Sequence, residues 1–173
     1  WSSGWGTGMD NTPRVPEGYN QIFSNGHMEW LDANLQQMLV NESLLQIGFY
    51  IERWQEIEEV EDENRFLKKH INDFMWNDAE GFLFDRYADG SLGTAKGIYA
   101  YWALQTDVLG KERLDRFVAH LSDSTEFDRP HRVPSLSADH RKYNALGRYW
   151  QGGVWPGANY MVIDGLWRKG YRA

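Results

Sequence analysis

Apolar residues recur at three- and four-residue steps along much of the chain. The first such stretch starts at Trp30 and carries Leu31, Leu35, Met38, Leu39, Leu45, Ile47, Ile51, Trp54 and Ile57. That is the period of a helix with one buried face, and it predicts a single long helix over 30–58. Gly48 sits inside it at a cost of about 1 kcal/mol relative to Ala, so it marks close packing or a bend. An acidic run follows: Glu56, Glu58, Glu59, Glu61, Asp62 and Glu63. It reads as a solvated junction whose acids open the next helix, where the helix dipole favours them. That second helix carries Phe66, Leu67, Ile71, Phe74 and Met75 and ends near Trp76. Ile98, Tyr101, Trp102, Leu104 and Leu109 predict a helix over 97–109, with Gly110 as its stop. Leu114, Phe117, Val118 and Leu121 predict another over 111–122. The last opens at Pro156, a residue suited to a first helical turn, and runs to Gly170. Two-residue alternation never lasts long enough for a sheet of any size. Residues 82–87 are short and extended, between turns at 77–81 and at Asp89-Gly90. The plan of helix, loop, helix is all-α and suits a toroid of helical hairpins.

Two loops interrupt the helical pattern with unusual chemistry. Residues 1–14 read Trp-Ser-Ser-Gly-Trp-Gly-Thr-Gly-Met-Asp-Asn-Thr-Pro-Arg. Glycines here allow backbone conformations closed to other residues. Pro13 fixes its own backbone and turns Thr12 away from helix. The loop thus presents one carboxylate, Asp10, between tryptophans and Arg14. Composition leaves two readings of Asp10 open: a proton donor or acceptor for sugar chemistry, or a plain turn aspartate. Residues 15–26 are rich in turn formers. Residues 122–153 are polar and broken by Pro130 and Pro134. A non-helical segment of that length is functional or disordered, and Tyr143, Tyr149 and Trp150 argue against disorder.

Composition narrows the choice. The 173 residues suffice for one domain with a core. Opening on Trp1 without Met and stopping just after a helix, the chain is expected to be a piece of something longer. A net charge of -7 argues against nucleic acid as a partner. The absence of cysteine excludes disulfides, thiolate nucleophiles and Cys-ligated zinc, and leaves the compartment open. No run of apolar residues is long enough to span a bilayer, and the 173 residues show no signal peptide, which leaves open one removed in processing. His27, His70, His120, His131 and His140 lack metal-ligand spacing. His131 and His140 could line a cleft or be hydrogen-bonded loop residues. The acidic turns at 77–81 and 89–90 lack the ligand alternation of a calcium loop. There is no Gly-x-Ser-x-Gly elbow and no phosphate-binding fingerprint. No metal or cofactor is therefore expected. Nine Trp, nine Tyr and eight Phe stand out. Flat rings with polar tips suit the apolar faces and polar edges of sugars, although a large aromatic core would also consume them.

Two segments carry a family resemblance. Gly-Met-Asp-Asn-Thr-Pro-Arg, ending at Arg14, resembles the segment that bears the general acid in glycoside hydrolase family 63, whose members include processing α-glucosidases and whose relatives include trehalases. Tyr-Trp-Gln-Gly-Gly-Val-Trp-Pro-Gly-Ala-Asn-Tyr, from Tyr149 to Tyr160, resembles the family's later Tyr-Trp-Arg-Gly-Pro-Val-Trp segment. The resemblance implies an (α/α)6 barrel, of which residues 1–173 would be a single partial catalytic domain with long aromatic, Gly-rich loops. It places Asp10 as the general acid, and Trp5, Arg14, Trp150, Gln151 and Trp155 as sugar contacts. Gln151 stands where Arg is usual and Gly153 where Pro is usual. The family's general base lies further towards the C-terminus and is not found in this chain.

The implied reaction is inverting hydrolysis of an α-glycosidic, in particular α-glucosidic, bond. Inversion requires two carboxyls about 6.5–9.5 Å apart with a water between them. The acid must keep its proton near neutral pH, which an aromatic surround from Trp5 would favour. Arg14 would work against that if its charge faced Asp10, so it is expected to face the substrate or a structural partner. The partners implied are an oligosaccharide or α-glucoside, and either the remainder of the barrel or a second copy. Two other classes remain open from the residues: a non-catalytic carbohydrate-binding module and a helical scaffold.

Overall fold

The computed structural model describes residues 4–16, 18–19 and 28–172, without the side chains of Gly4 and Trp5. Strand β1 (Met28–Glu29) leads into α1 (Leu31–Tyr50), which is followed by α2 (Trp54–Phe74). The apolar spacing predicts one helix over 30–58, and the chain instead reverses at 51–53. Glu52 adopts a left-handed φ of 58°, and the Arg53 N–H donates back to the Gly48 carbonyl at 2.9 Å. The two helices pack as an antiparallel hairpin, with Asn41 Nδ2 donating to Glu63 at 3.0 Å. Periodicity runs through the reversal because Ile51 and Trp54 keep the spacing while standing exposed at its tip. The acidic run therefore lies within α2, on residues open to water, and does not form a junction. Gly48 answers to close packing: a Cβ there would come within 2.9 Å of Ile57 Cγ1.

Two short antiparallel pairs follow. β2 (Trp76–Asn77) pairs with β3 (Phe82–Leu83) around the 77–81 turn, and β4 (Arg86–Tyr87) returns to β1, placing Met28 opposite Tyr87. Asn77 Oδ1 accepts the N–H groups of Ala79 and Glu80 at 3.0 and 3.1 Å, so this turn's polar side chain serves its own backbone.

The stretch over 97–109 is a 3-10 helix, Ile98–Gln105, and not an α-helix. Ile98, Tyr99, Ala100, Tyr101, Ala103 and Leu104 are all buried in it, because α1 and α4 (Pro156–Arg168) both pack against it. Gly165 of α4 permits that approach, since a Cβ there would lie 2.5 Å from Leu104 Cβ. α3 (Lys111–Ala119) and a 3-10 turn, His120–Ser122, fill the stretch predicted over 111–122. Gly170, with a φ of 82°, follows the end of α4 as its glycine signal implies. Rings from distant parts of the chain meet in the core: Phe82 lies 4.8 Å from Phe117, and Tyr101 lies 4.7 Å from Phe117 and 5.5 Å from Phe127. Part of the aromatic content is thus consumed by packing. No helix among the described residues is long and apolar enough to cross a membrane.

Candidate functional site

The two aromatic loops meet although 139 residues separate them. Asn11 is the join. Its Nδ2 donates to the Arg148 carbonyl at 3.0 Å, and its Oδ1 accepts the Trp150 N–H at 2.8 Å. Its backbone carbonyl accepts from Gln151 Nε2 at 3.0 Å. Asp10, the residue before it, is exposed, and its Oδ2 accepts the Tyr149 hydroxyl at 3.2 Å. Gln151 is thereby committed to holding the loops together. The side chain of Trp5 lies outside the described residues.

Beneath the acid-bearing loop sits Arg14, 1 % exposed. Its guanidinium bonds two carboxylates bidentately: Nη1 and Nη2 donate to Asp32 at 2.9 and 2.7 Å, and Nε and Nη2 to Asp85 at 2.8 and 2.7 Å. Its Cζ lies 3.7 Å from the centroid of the Tyr99 ring. Burial opposes the charge on Arg14, but Asp32 and Asp85 more than offset it and hold the guanidinium pKa well above its ordinary value. Burial likewise raises the pKa of Asp32, with Arg14 countering only in part. Asp85 also accepts the Leu31 N–H at 2.9 Å, in the first turn of α1. The resemblance places Arg14 among the sugar contacts; the structure corrects this. The side chain is enclosed, and of the two roles open to it, the structural partner is the one present.

The second loop is wound unusually. Gly147, Arg148 and Tyr149 have successive φ values of 94°, 28° and 60°, and Gly152 has 140°. Non-glycine residues seldom adopt positive φ, and such backbones cluster at functional sites. A Cβ on Gly153 would stand 2.4 Å from the Tyr149 carbonyl oxygen. Glycine at a position where the family pattern has proline thus goes with a loop folded tightly back on itself. Trp150 and Trp155 stack at 4.4 Å with 17° between their planes, and Tyr149 meets both edge-on at 5.9 and 5.3 Å. Trp155 Nε1 donates to the Tyr149 carbonyl at 3.3 Å.

Cavities flank this junction. One of about 470 Å³ is lined by Asn11, Tyr19, Tyr87, His140, Arg141 and Lys142, among others. A second, about 430 Å³, is lined by Arg141, Lys142, Tyr143, Asn144, Arg148 and Gln151. A third, about 520 Å³, includes Arg129, His131, Tyr143 and Leu146. Both loop histidines therefore line clefts. Burial lowers the pKa of His140, with Asp139 opposing, so its ring is mainly neutral at pH 7. Among the described residues, no Asp or Glu lines any of the three. Nor, among the same residues, do three His, Asp or Glu side chains gather as for a metal ion.

Sequence reasoning missed Asn11, Tyr149 and the cations at 141, 142 and 148. Asn11 and Tyr149 do fall inside the two segments that carry the resemblance. Nothing local, however, says that one segment's amide and the other's phenol meet.

The likeness extends beyond these segments. The structure of the GH63 mannosylglycerate hydrolase from Thermus thermophilus in complex with glucose is similar, with a TM-score of 0.72 and 19% identity over 82% of this chain and 35% of that one. Neutral trehalase from Saccharomyces cerevisiae gives a TM-score of 0.68 at 17% identity, over 95% of this chain and 31% of that one. A Borreliella burgdorferi protein described as uncharacterized is 28% identical over 100 residues, which is 58% of this chain and 21% of that protein. The chain thus spans about a third or less of the length of these relatives. At such identities the two structures speak for the helix-rich architecture alone. The family model for the mannosylglycerate hydrolase MGH1-like glycoside hydrolase domain, by contrast, matches residues 1–173. With every position of the chain inside that match, the chain belongs to the MGH1-like glycoside hydrolase family.

Proposed function

We propose that the protein is an inverting glycosidase that hydrolyses an α-glycosidic bond, with Asp10 as general acid. The observation that carries this reading is the meeting of Asp10 with the Tyr149–Trp155 loop across 139 residues of chain. An exposed carboxyl there can reach a glycosidic oxygen while indole faces nearby receive the C–H side of a sugar. The second carboxyl that inversion requires is assigned to a segment outside the 173 residues, as the family resemblance implies. α-Glucosides are the first substrate class. Arg141, Lys142 and Arg148 in one of those cavities favour an acidic group on the leaving side, of the kind the Thermus relative's name carries as glycerate. No cofactor enters the reaction.

Incubating the full-length protein with an α-glucoside and with α-mannosylglycerate, and following the first-formed anomer by proton NMR, tests the proposal. A β-anomer is expected. An α-anomer would remove inversion, and no turnover of either would remove the hydrolase reading.

The same reading makes these residues part of an (α/α)6 barrel. Val40, Leu44, Ile47 and Ile51 form an exposed stripe on and just beyond α1, and Tyr160, Ile163 and Trp167 another on α4. Both follow helical spacing, and contiguous apolar surface of this kind marks an interface. Further helices of the same domain cover them. Residues 1–173 alone are therefore expected to self-associate, and a monodisperse monomer by light scattering would contradict the assignment.

A further inference from the structure

We infer that Tyr149 is a positioning residue for the general acid: its hydroxyl, bonded to Oδ2 of Asp10, leaves Oδ1 to carry the proton delivered to the glycosidic oxygen. The inference rests on the reading of Asp10 as that acid and deepens it.

Tyr149 is half-exposed, and its neighbours in the chain and across the junction fix where its ring stands. Asn11, the neighbour of Asp10, bonds the residues on either side of Tyr149: the Arg148 carbonyl at 3.0 Å and the Trp150 N–H at 2.8 Å. The 10–11 and 148–150 segments are thereby fastened together, and the phenol is brought to the carboxylate at 3.2 Å. The Tyr149 backbone is left-handed, with a φ of 60°, behind two other residues of positive φ. Its carbonyl accepts from Trp155 Nε1, and its ring sits edge-on to Trp150 and Trp155. A strained backbone kept by this many contacts is what a placed side chain requires.

The chemistry follows from the direction of the bond. In the resting acid, the phenol donates to the oxygen without the proton. As the glycosidic C–O bond breaks, its electron pair goes to the leaving oxygen, which takes the proton from Oδ1. Water adds to the sugar carbon from the opposite face and gives its proton to the base. Asp10 gains a full negative charge in that step. A hydrogen bond to a charged acceptor is stronger than one to a neutral acceptor, so the bond from Tyr149 tightens as the reaction proceeds.

The test uses the full-length enzyme and an α-glycoside that it turns over, with Tyr149→Phe and Asp10→Asn measured side by side. Tyr149→Phe is expected to lower kcat about 10–100-fold, the loss of a hydrogen bond to a charged group. KM should change little, and a glycosyl fluoride, whose leaving group departs without protonation, should be turned over at nearly the parent's rate. An unchanged kcat, or an equal loss on the fluoride, overturns the inference. If Asp10→Asn is inactive while Tyr149→Phe behaves as the parent, only Tyr149 loses its role. If Asp10→Asn stays active, the underlying acid assignment falls. Should the Phe variant fail to fold, a 3-fluorotyrosine at position 149 keeps the shape while donating more strongly. kcat on the ordinary glycoside should then rise while the fluoride rate stays where it is, and an unchanged kcat overturns the inference equally.

Discussion

Arg14→Met is expected to destabilise the domain by about 3–5 kcal/mol, the range seen when one partner of a buried ion pair is removed. Methionine fills much of the space but leaves two carboxylates, each 1 % exposed, with no cation between them. The loss is compounded by position. Asp85 also holds the Leu31 N–H, and Arg14 itself stacks on Tyr99 in the buried 3-10 helix. A single substitution therefore loosens the acid-bearing loop, the start of α1 and the central 3-10 helix together. Against the 5–15 kcal/mol typical of a folded domain, the effect should be plain in a urea or thermal unfolding curve of the full-length protein. A change below about 1 kcal/mol would show that Arg14 is not the structural centre described here, because exposed ion pairs contribute that little.

The second large effect is catalytic. Asp10→Asn in the full-length enzyme should lower kcat by about 10²–10⁴, the usual contribution of a positioned general acid. Asp10 is exposed, so the melting temperature should stay where it is. A glycosyl fluoride, whose leaving group departs without protonation, should recover most of the lost rate. Near-normal turnover of an ordinary α-glycoside by the Asn variant would take Asp10 out of the role.

Local signals served well where local physics decides. Pro156 and Gly170 bracket α4 because a first-turn proline and a glycine of positive φ are properties of helix ends themselves. The two loops stood out by residue type and by resemblance, and the structure joins them through Asn11. The reversal at 51–53 was not legible, since Ile51 and Trp54 are exposed yet keep the helical spacing. Nor was the role of Arg14. Its partners lie 18 and 71 residues away, and nothing in the pattern around Asp32 or Asp85 says that the three meet. The 3-10 geometry of Ile98–Gln105 escaped for a related reason: a segment buried on all sides has no polar face from which to read a period.

The clasp at Asn11 also has a bearing on the order of folding. It closes a loop of 139 residues, with an entropic penalty on the order of 4 kcal/mol by the logarithmic closure law. Its hydrogen bonds, each contributing about 1 kcal/mol net, do not overcome that alone. The helices must first have drawn the two ends together. The corner that carries Asp10 is then a late product of assembly, one that a nascent chain lacks until the loop around Tyr149 has been made.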